Sequence, residues 1–153
     1  MRLLDFIFGK TIKIENPFFG EMIYVGAKKK SKENYFECGR YFKPKKDKIE
    51  IGIEGDIQGP TQRQIDFFES IERNYTKFSD SIILLIEDEF RNWKEDFKIK
   101  DFQKEFTPVY LFIPRCEIEP IIWEIGFESE HDENHLFTLT MESFKATEMR
   151  IDG

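Results

Sequence analysis

The sequence contains little cysteine. Its 153 residues include two, Cys38 and Cys116, and neither has a second cysteine or a histidine at the short spacing of a metal site. Both are predicted on or beside strands, where an isolated cysteine packs as a small apolar side chain. The sequence therefore offers no thiol-based metal or redox motif. It favours a reducing cytoplasm, with one disulfide between the two cysteines as the alternative.

Long apolar runs are also absent. The longest, IILLI at residues 82–86, has five residues, whereas a membrane-spanning helix needs about 20. The opening MRLLDFIFGK carries Asp5 within its apolar stretch and is too short for a signal peptide. Residues 1–9 are predicted to form a short leader that docks on the core, with docking on a membrane surface as the alternative. Its apolar helical face carries Leu3, Leu4, Ile7 and Phe8.

Positive charge is in deficit. With 23 lysines and arginines against 30 aspartates and glutamates, the formal net charge is −7 and the pI is near 5.0. This balance argues against a nucleic-acid partner, because phosphates would be repelled. The lysine clusters at 28–32 and 43–48 do not form one patch, since they are predicted about 23 Å apart at opposite ends of a sheet. The charge is compatible with a basic protein partner.

Motifs of known catalytic chemistry are missing as well. There is no G-x-S-x-G elbow, no glycine-rich phosphate loop and no recognisable Cys–His pair. Both histidines lie in ESEHDENHLF, residues 128–137, four positions apart. The flanks are predicted strands and DEN is typical of a turn, so this stretch is interpreted as a hairpin loop and no catalytic residue is assigned. The alternative is a metal site whose ligands are His131, Asp132, Glu133 and His135.

Phenylalanine is abundant, with 17 residues, and 40% of the chain is hydrophobic. A chain of this length is expected to form one domain with a real core. Aromatic rings bury a large area each and pack edge to face, so the phenylalanines are interpreted as core rather than as a binding box.

Hydrophobic periodicity predicts an α+β fold in three parts. Residues 10–55 form a first antiparallel meander, in which isoleucines at 49, 51 and 53 face one side and glutamates the other. Residues 107–152 form a second meander, with a central strand at 107–114 and an edge strand at 145–152. Between them, the helical period over residues 60–97 predicts two helices that form a hairpin packed on one face of the sheet.

Sequence signals place the ends of these two helices. Thr61 and Gln64, three residues apart after Gly59-Pro60, predict a capping box at the start of the first helix. Ser79 or Asp80 is predicted to cap the second helix, which then runs to residue 97.

The outward positions of the strands supply candidate binding residues. The alternation places the carboxylates on wet sheet faces, where they can form an acidic surface for a basic partner. Gly52 and Gly126 lie mid-strand among these positions. They mark either bulges or a close approach of another backbone or ring, of which an aromatic ring from the neighbouring strand is the simplest case. Tyrosines are the expected anchors, since tyrosine is enriched at interfaces. The candidate partner-binding residues are Glu50, Glu54, Glu124, Glu128, Tyr24, Tyr35, Tyr41 and Tyr110.

Three stretches of the chain resemble a group of small uncharacterised bacterial proteins. They are YFKPKKDKIEIGIEGDIQGPTQRQIDFFESIERNY (41–75), NPFFGEM (16–22), and WEIGF with DENH (123–127 and 132–135). The shared motifs are a turn, a cap and a core stripe, so the resemblance implies a domain of unknown function and supplies no active site. Some comparable small acidic bacterial domains are immunity proteins, which bind a toxin and block it.

These observations favour a non-enzymatic cytoplasmic protein-interaction domain without a cofactor, monomeric or homodimeric. An immunity protein that occludes a basic partner is one concrete form. Two alternatives stay open: a small metal-binding or hydrolytic module built on the His131/His135 loop, and a structural homodimer that pairs through an exposed edge strand.

Overall fold

A computed structural model describes residues 12–25 and 34–153 of the chain. The predicted leader at residues 1–9 and the lysine cluster at 28–32 lie outside the described residues.

Eight strands of the described residues form one sheet, in which each strand lies beside its neighbour in sequence. The parallel pair β4–β5 has Ile51 opposite Leu111, and the other six neighbouring pairs are antiparallel. The strands are β1 (Ile12–Asn16), β2 (Gly20–Val25), β3 (Tyr35–Phe42), β4 (Asp47–Glu54), β5 (Phe106–Ile113), β6 (Ile122–Ser129), β7 (Asp132–Glu142) and β8 (Lys145–Asp152).

The predicted two-helix hairpin is wrong. Residues 62–90 form a single helix, α1 (Gln62–Phe90), and a four-residue helix, α2 (Phe102–Glu105), precedes β5. The two helices lie in the connection between β4 and β5. Such a crossover lets these two strands pair in parallel, so the sheet is not a simple meander.

Two local features explain why α1 does not break at the predicted second cap. The hydroxyl of Ser79 donates to the carbonyl of Thr76, inside the helix, rather than accepting from an amide that follows it. The buried stripe also continues through this point without a change of phase, at steps of three or four residues. It comprises Gln64, Phe68, Ile71, Tyr75, Phe78, Ile82, Ile86 and Phe90.

The predicted capping box at the start of α1 is confirmed. The backbone amide of Gln64 donates to the Thr61 hydroxyl, and the Thr61 amide donates to the Gln64 side chain. The Gln64 side-chain nitrogen also donates to the carbonyls of Glu54 and Pro114, at 2.6 and 2.9 Å. One buried glutamine therefore fixes the start of α1 to the ends of the parallel strands β4 and β5.

The core lies between α1 and one face of the sheet, and it is rich in aromatic rings as predicted. Phe67 and Phe78 of α1 meet Trp123 of β6 edge to face, with ring centroids 5.9 and 5.5 Å apart. Near the end of α1, Phe90 packs on Phe137 of β7 at 5.3 Å. The side chains that point the other way along each strand form the opposite face.

Neither helix of the described residues is long and apolar enough to span a membrane.

Candidate functional site

The sheet face opposite α1 is here called the open face, since neither helix of the described residues lies on it. Its centre is a row of cross-strand partners running from β3 to β6. Glu37 lies opposite Gly52, Gly52 beside Phe112, and Phe112 opposite Glu124. Because neighbouring strands are about 4.8 Å apart, the backbones of Glu37 and Glu124 are separated by about 14 Å. The row therefore places aromatic and glycine positions between two carboxylates.

Gly52 and Gly126 make room for the side chain of Tyr110 on this face. A Cβ atom at Gly52 would lie 2.6 Å from the Tyr110 hydroxyl and 3.0 Å from the Phe112 ring, so any other residue there would force these aromatic side chains to shift. A Cβ at Gly126 would lie 3.3 Å from the Cβ of Tyr110. The rings of Tyr110 and Phe112 thus cover Gly52, whereas the Tyr110 Cβ and the aliphatic side chain of Leu136 lie over Gly126.

Tyr35, Tyr110 and Phe112 form a half-buried aromatic platform on the open face. The rings of Tyr35 and Phe112 meet edge to face at 6.4 Å. Burial, together with the negative charges of Glu124 and Glu37, raises the pKa of Tyr110 to about 12. The platform is therefore neutral at physiological pH and lies in a negative potential.

The predicted acidic residues border the platform but differ in their partners. Glu50, beside Tyr110 on β4, and Glu128, at the end of β6, are exposed. Glu54 is instead held by Arg115, whose amide donates to its carboxylate at 3.1 Å and whose Nε lies 3.6 Å away. Glu50 is thus available to a partner, whereas Glu54 is partly neutralised within the chain.

The predicted tyrosines do not all lie on one face. Tyr41 is 53% exposed at the end of β3, on the same face as Tyr35. Tyr24 points the other way, is 9% exposed, and packs on Phe36 at 5.1 Å between ring centroids. Tyr24 is therefore a core residue in this structure and does not contribute to the open face.

An arginine of the chain already binds on the open face. Arg150 of β8 donates to the carboxylate of Asp152 at 2.9 Å, and its Nη1 lies 3.5 Å from the carboxylate of Glu124. The side chain of Arg150 is 57% exposed, and that of Glu124 is 32% exposed. The face thus offers carboxylates at a spacing that a guanidinium can bridge.

The two histidines lie in separate pairs. Nε2 of His131, in the turn between β6 and β7, lies 2.7 Å from a carboxylate oxygen of Glu105, and its ring contacts Phe97 at 5.0 Å between centroids. His135 is exposed, and its Nδ1 lies 2.7 Å from Asp132. Among the described residues, no serine, threonine or cysteine side chain is hydrogen-bonded to either imidazole. Each imidazole is instead paired with a carboxylate of the chain.

The groups that could hold a metal differ from the predicted set of His131, Asp132, Glu133 and His135. Within the described residues, ligand atoms of Glu105, Glu130 and His131 lie within 4.8 Å of one another, beside a cleft of about 500 Å³. An ion there would have to displace the hydrogen bond between His131 and Glu105. The cleft wall carries equal numbers of lysines and carboxylates: Lys94, Lys98, Lys100 and Lys104 against Asp96, Asp101, Glu105 and Glu130.

Glu105 instead acts as an internal acceptor. Its side chain is 8% exposed, and one carboxylate oxygen accepts from the backbone amides of Lys100 and Asp101. Burial by itself raises the pKa of Glu105. The hydrogen bonds from Asp101, His131 and Lys100 outweigh burial, so the pKa lies below its ordinary value of 4.5.

We expect Glu105→Gln to lower the free energy of unfolding at pH 7 by about 1.5–3 kcal/mol, the range for hydrogen bonds to a charged group. A depressed folded-state pKa stabilises the fold above the unfolded pKa, and this stabilisation is lost as the pH falls through the folded value. The difference between wild type and variant should therefore shrink below pH 4.5. Urea titrations from pH 7 to below pH 4.5 measure this difference in unfolding free energy, with the exposed Glu128→Gln as control. A difference that stays constant with pH would contradict the role of Glu105 as an ionised internal acceptor.

Sequence reasoning missed four residues of these two regions. Glu37 and Phe112 share the strand parity of Tyr35 and Tyr110, so the alternation could have identified both. Glu105 gave no such signal, because it reaches His131 only after a separation of 26 residues along the chain, whereas Glu130 is adjacent to His131 in the stretch 128–137.

The chain was compared with known proteins in three ways, and none identifies a relative. No protein-family model matches it, and neither the curated proteins nor the solved structures contain a significant match. The resemblance to small bacterial domains therefore stays a prediction, and any functional conclusion depends on the geometry described above.

Proposed function

We propose that this chain is a non-enzymatic binding domain whose open face docks on a basic surface of another protein. A cytoplasmic immunity protein that occludes a toxin is the concrete form we favour. The proposal is supported by the arrangement of Glu37, Glu50 and Glu124 around the aromatic platform of Tyr35, Tyr110 and Phe112.

Composition and charge of the open face suit a protein partner. Interfaces combine aromatic anchors with polar rims, and tyrosine supplies contact area at low entropic cost. Carboxylates around such anchors steer a basic partner and exclude acidic ones. The formal net charge of −7 acts in the same direction at longer range.

Reversing two charges on the open face tests this function. The immobilised chain is used to retain proteins from a lysate of its source cells. Each retained protein is then purified, and its affinity for wild type and for the double variant Glu37→Lys/Glu50→Lys is measured. We expect the reversal to weaken the partner's binding by about 100-fold, because it places like charges opposite each other. The affinity of the wild type should also fall as salt is raised.

The matched control reverses two exposed carboxylates of α1, in Asp80→Lys/Asp88→Lys. Each replacement changes the charge by two units, so both double variants carry −3 instead of −7. A partner that loses affinity only with the open-face variant supports the proposal. Equal loss with both variants would show that net charge rather than this face determines binding.

A further inference from the structure

We propose that the aromatic platform, flanked by Glu37, Glu50 and Glu124, is a binding site for an arginine side chain of the partner protein. This inference rests on the proposed docking function of the open face and names the chemical group that the face recognises.

The platform presents aromatic surface beside negative charge. Gly52 allows the ring of Tyr110 to lie close to the sheet with its hydroxyl end over the glycine, and Gly126 leaves room for the Tyr110 Cβ. Phe112 lies next to it, between the β3 carboxylate of Glu37 and the β6 carboxylate of Glu124. A planar cation that stacks on these rings can therefore reach a carboxylate at its edge.

Guanidinium fits this arrangement better than ammonium. Arginine is planar, is weakly hydrated, stacks on aromatic faces and donates to carboxylates through two parallel hydrogen bonds, whereas lysine is a compact and strongly hydrated charge. Arg150 already contacts Glu124 from the β8 side, so this carboxylate binds a guanidinium within the chain and is partly neutralised, as Glu54 is by Arg115. Glu37 and Glu50, on the β3 and β4 side of the platform, are exposed.

Comparing the affinities of two peptides tests the inference. One peptide alternates arginine with glycine, and the other has lysine at the same positions, so that their charges are equal. Binding of each to the full chain is followed by amide chemical shifts at low ionic strength, where screening is weak. We expect the arginine peptide to bind about five-fold more tightly to wild type. The preference should disappear in Tyr110→Leu and persist in Tyr110→Phe, which keeps the ring.

Circular dichroism establishes that each variant is folded, and Phe112→Leu replaces Tyr110→Leu if the latter does not fold. Equal affinity of the two peptides for wild type overturns the arginine site, as does a preference that survives loss of the ring. The docking function is judged separately with the same peptides. The open face is the docking surface if Glu37→Lys/Glu50→Lys lowers the affinity of both peptides and Asp80→Lys/Asp88→Lys does not. This conclusion holds even where the preference for arginine fails.

Discussion

Replacing Asp80 by proline is expected to lower the free energy of unfolding by about 3 kcal/mol or more. Residue 80 lies deep within α1 (Gln62–Phe90), and its side chain is exposed, so no core contact is lost with it. The cost comes from the backbone, because proline removes an amide donor and its ring clashes with the preceding turn. Urea titration followed by circular dichroism measures the change.

The matched control is Gln62→Pro, at the first position of the same helix. Thr61 before it is extended, with φ −90° and ψ 164°, a conformation that a following proline accepts. Proline is favoured at this position, so the replacement should lower the free energy of unfolding by no more than about 0.5 kcal/mol. If Asp80→Pro were tolerated equally well, residue 80 would begin a second helix, and the hairpin would be correct after all.

Replacing Trp123 by alanine is expected to lower the free energy of unfolding by about 3–5 kcal/mol. Trp123 is fully buried and contacts Phe67 and Phe78 of α1. Its indole nitrogen also donates to the carbonyl of Ser143 at 2.6 Å, so truncation leaves both a cavity and an unpaired acceptor. Thermal or urea unfolding gives the loss directly.

The chain's other tryptophan provides the control. Trp93 is 61% exposed just beyond α1, and its ring meets Phe90 at 5.3 Å. Trp93→Ala should therefore lower the free energy of unfolding by about 1 kcal/mol or less, since one aromatic contact at the surface is lost. Similar losses at the two positions would contradict the packing of α1 on β6.

The alternation of apolar and polar residues identified the buried face of β4. Ile49, Ile51 and Ile53 are buried as predicted, because a strand that is covered on one face has an unambiguous period of two. The helical region was harder to interpret. Ser79 and Asp80 have the composition of a cap, but caps and helix interiors share residue types, and only the uninterrupted stripe from Phe68 to Phe90 favoured one helix.

The candidate site was predicted in part, for a related reason. Parity along a strand decides which of its side chains share a face, and Glu50, Tyr35 and Tyr110 lie on one face of the sheet. Parity does not decide which face a helix covers, and Tyr24 was assigned to a surface although it packs on Phe36. The contact between His131 and Glu105 depends on how the β6–β7 turn meets α2, which no local pattern encodes.

Mapping the partner's footprint tests the central claim most directly. Amide chemical shifts of the isotopically labelled chain are recorded with and without the purified partner. The account predicts that the largest changes fall on β3 to β6 around Glu37, Glu50 and Tyr110. Changes confined to the exposed side of α1 near Asp80 and Asp88, with the open face unaltered, would contradict it.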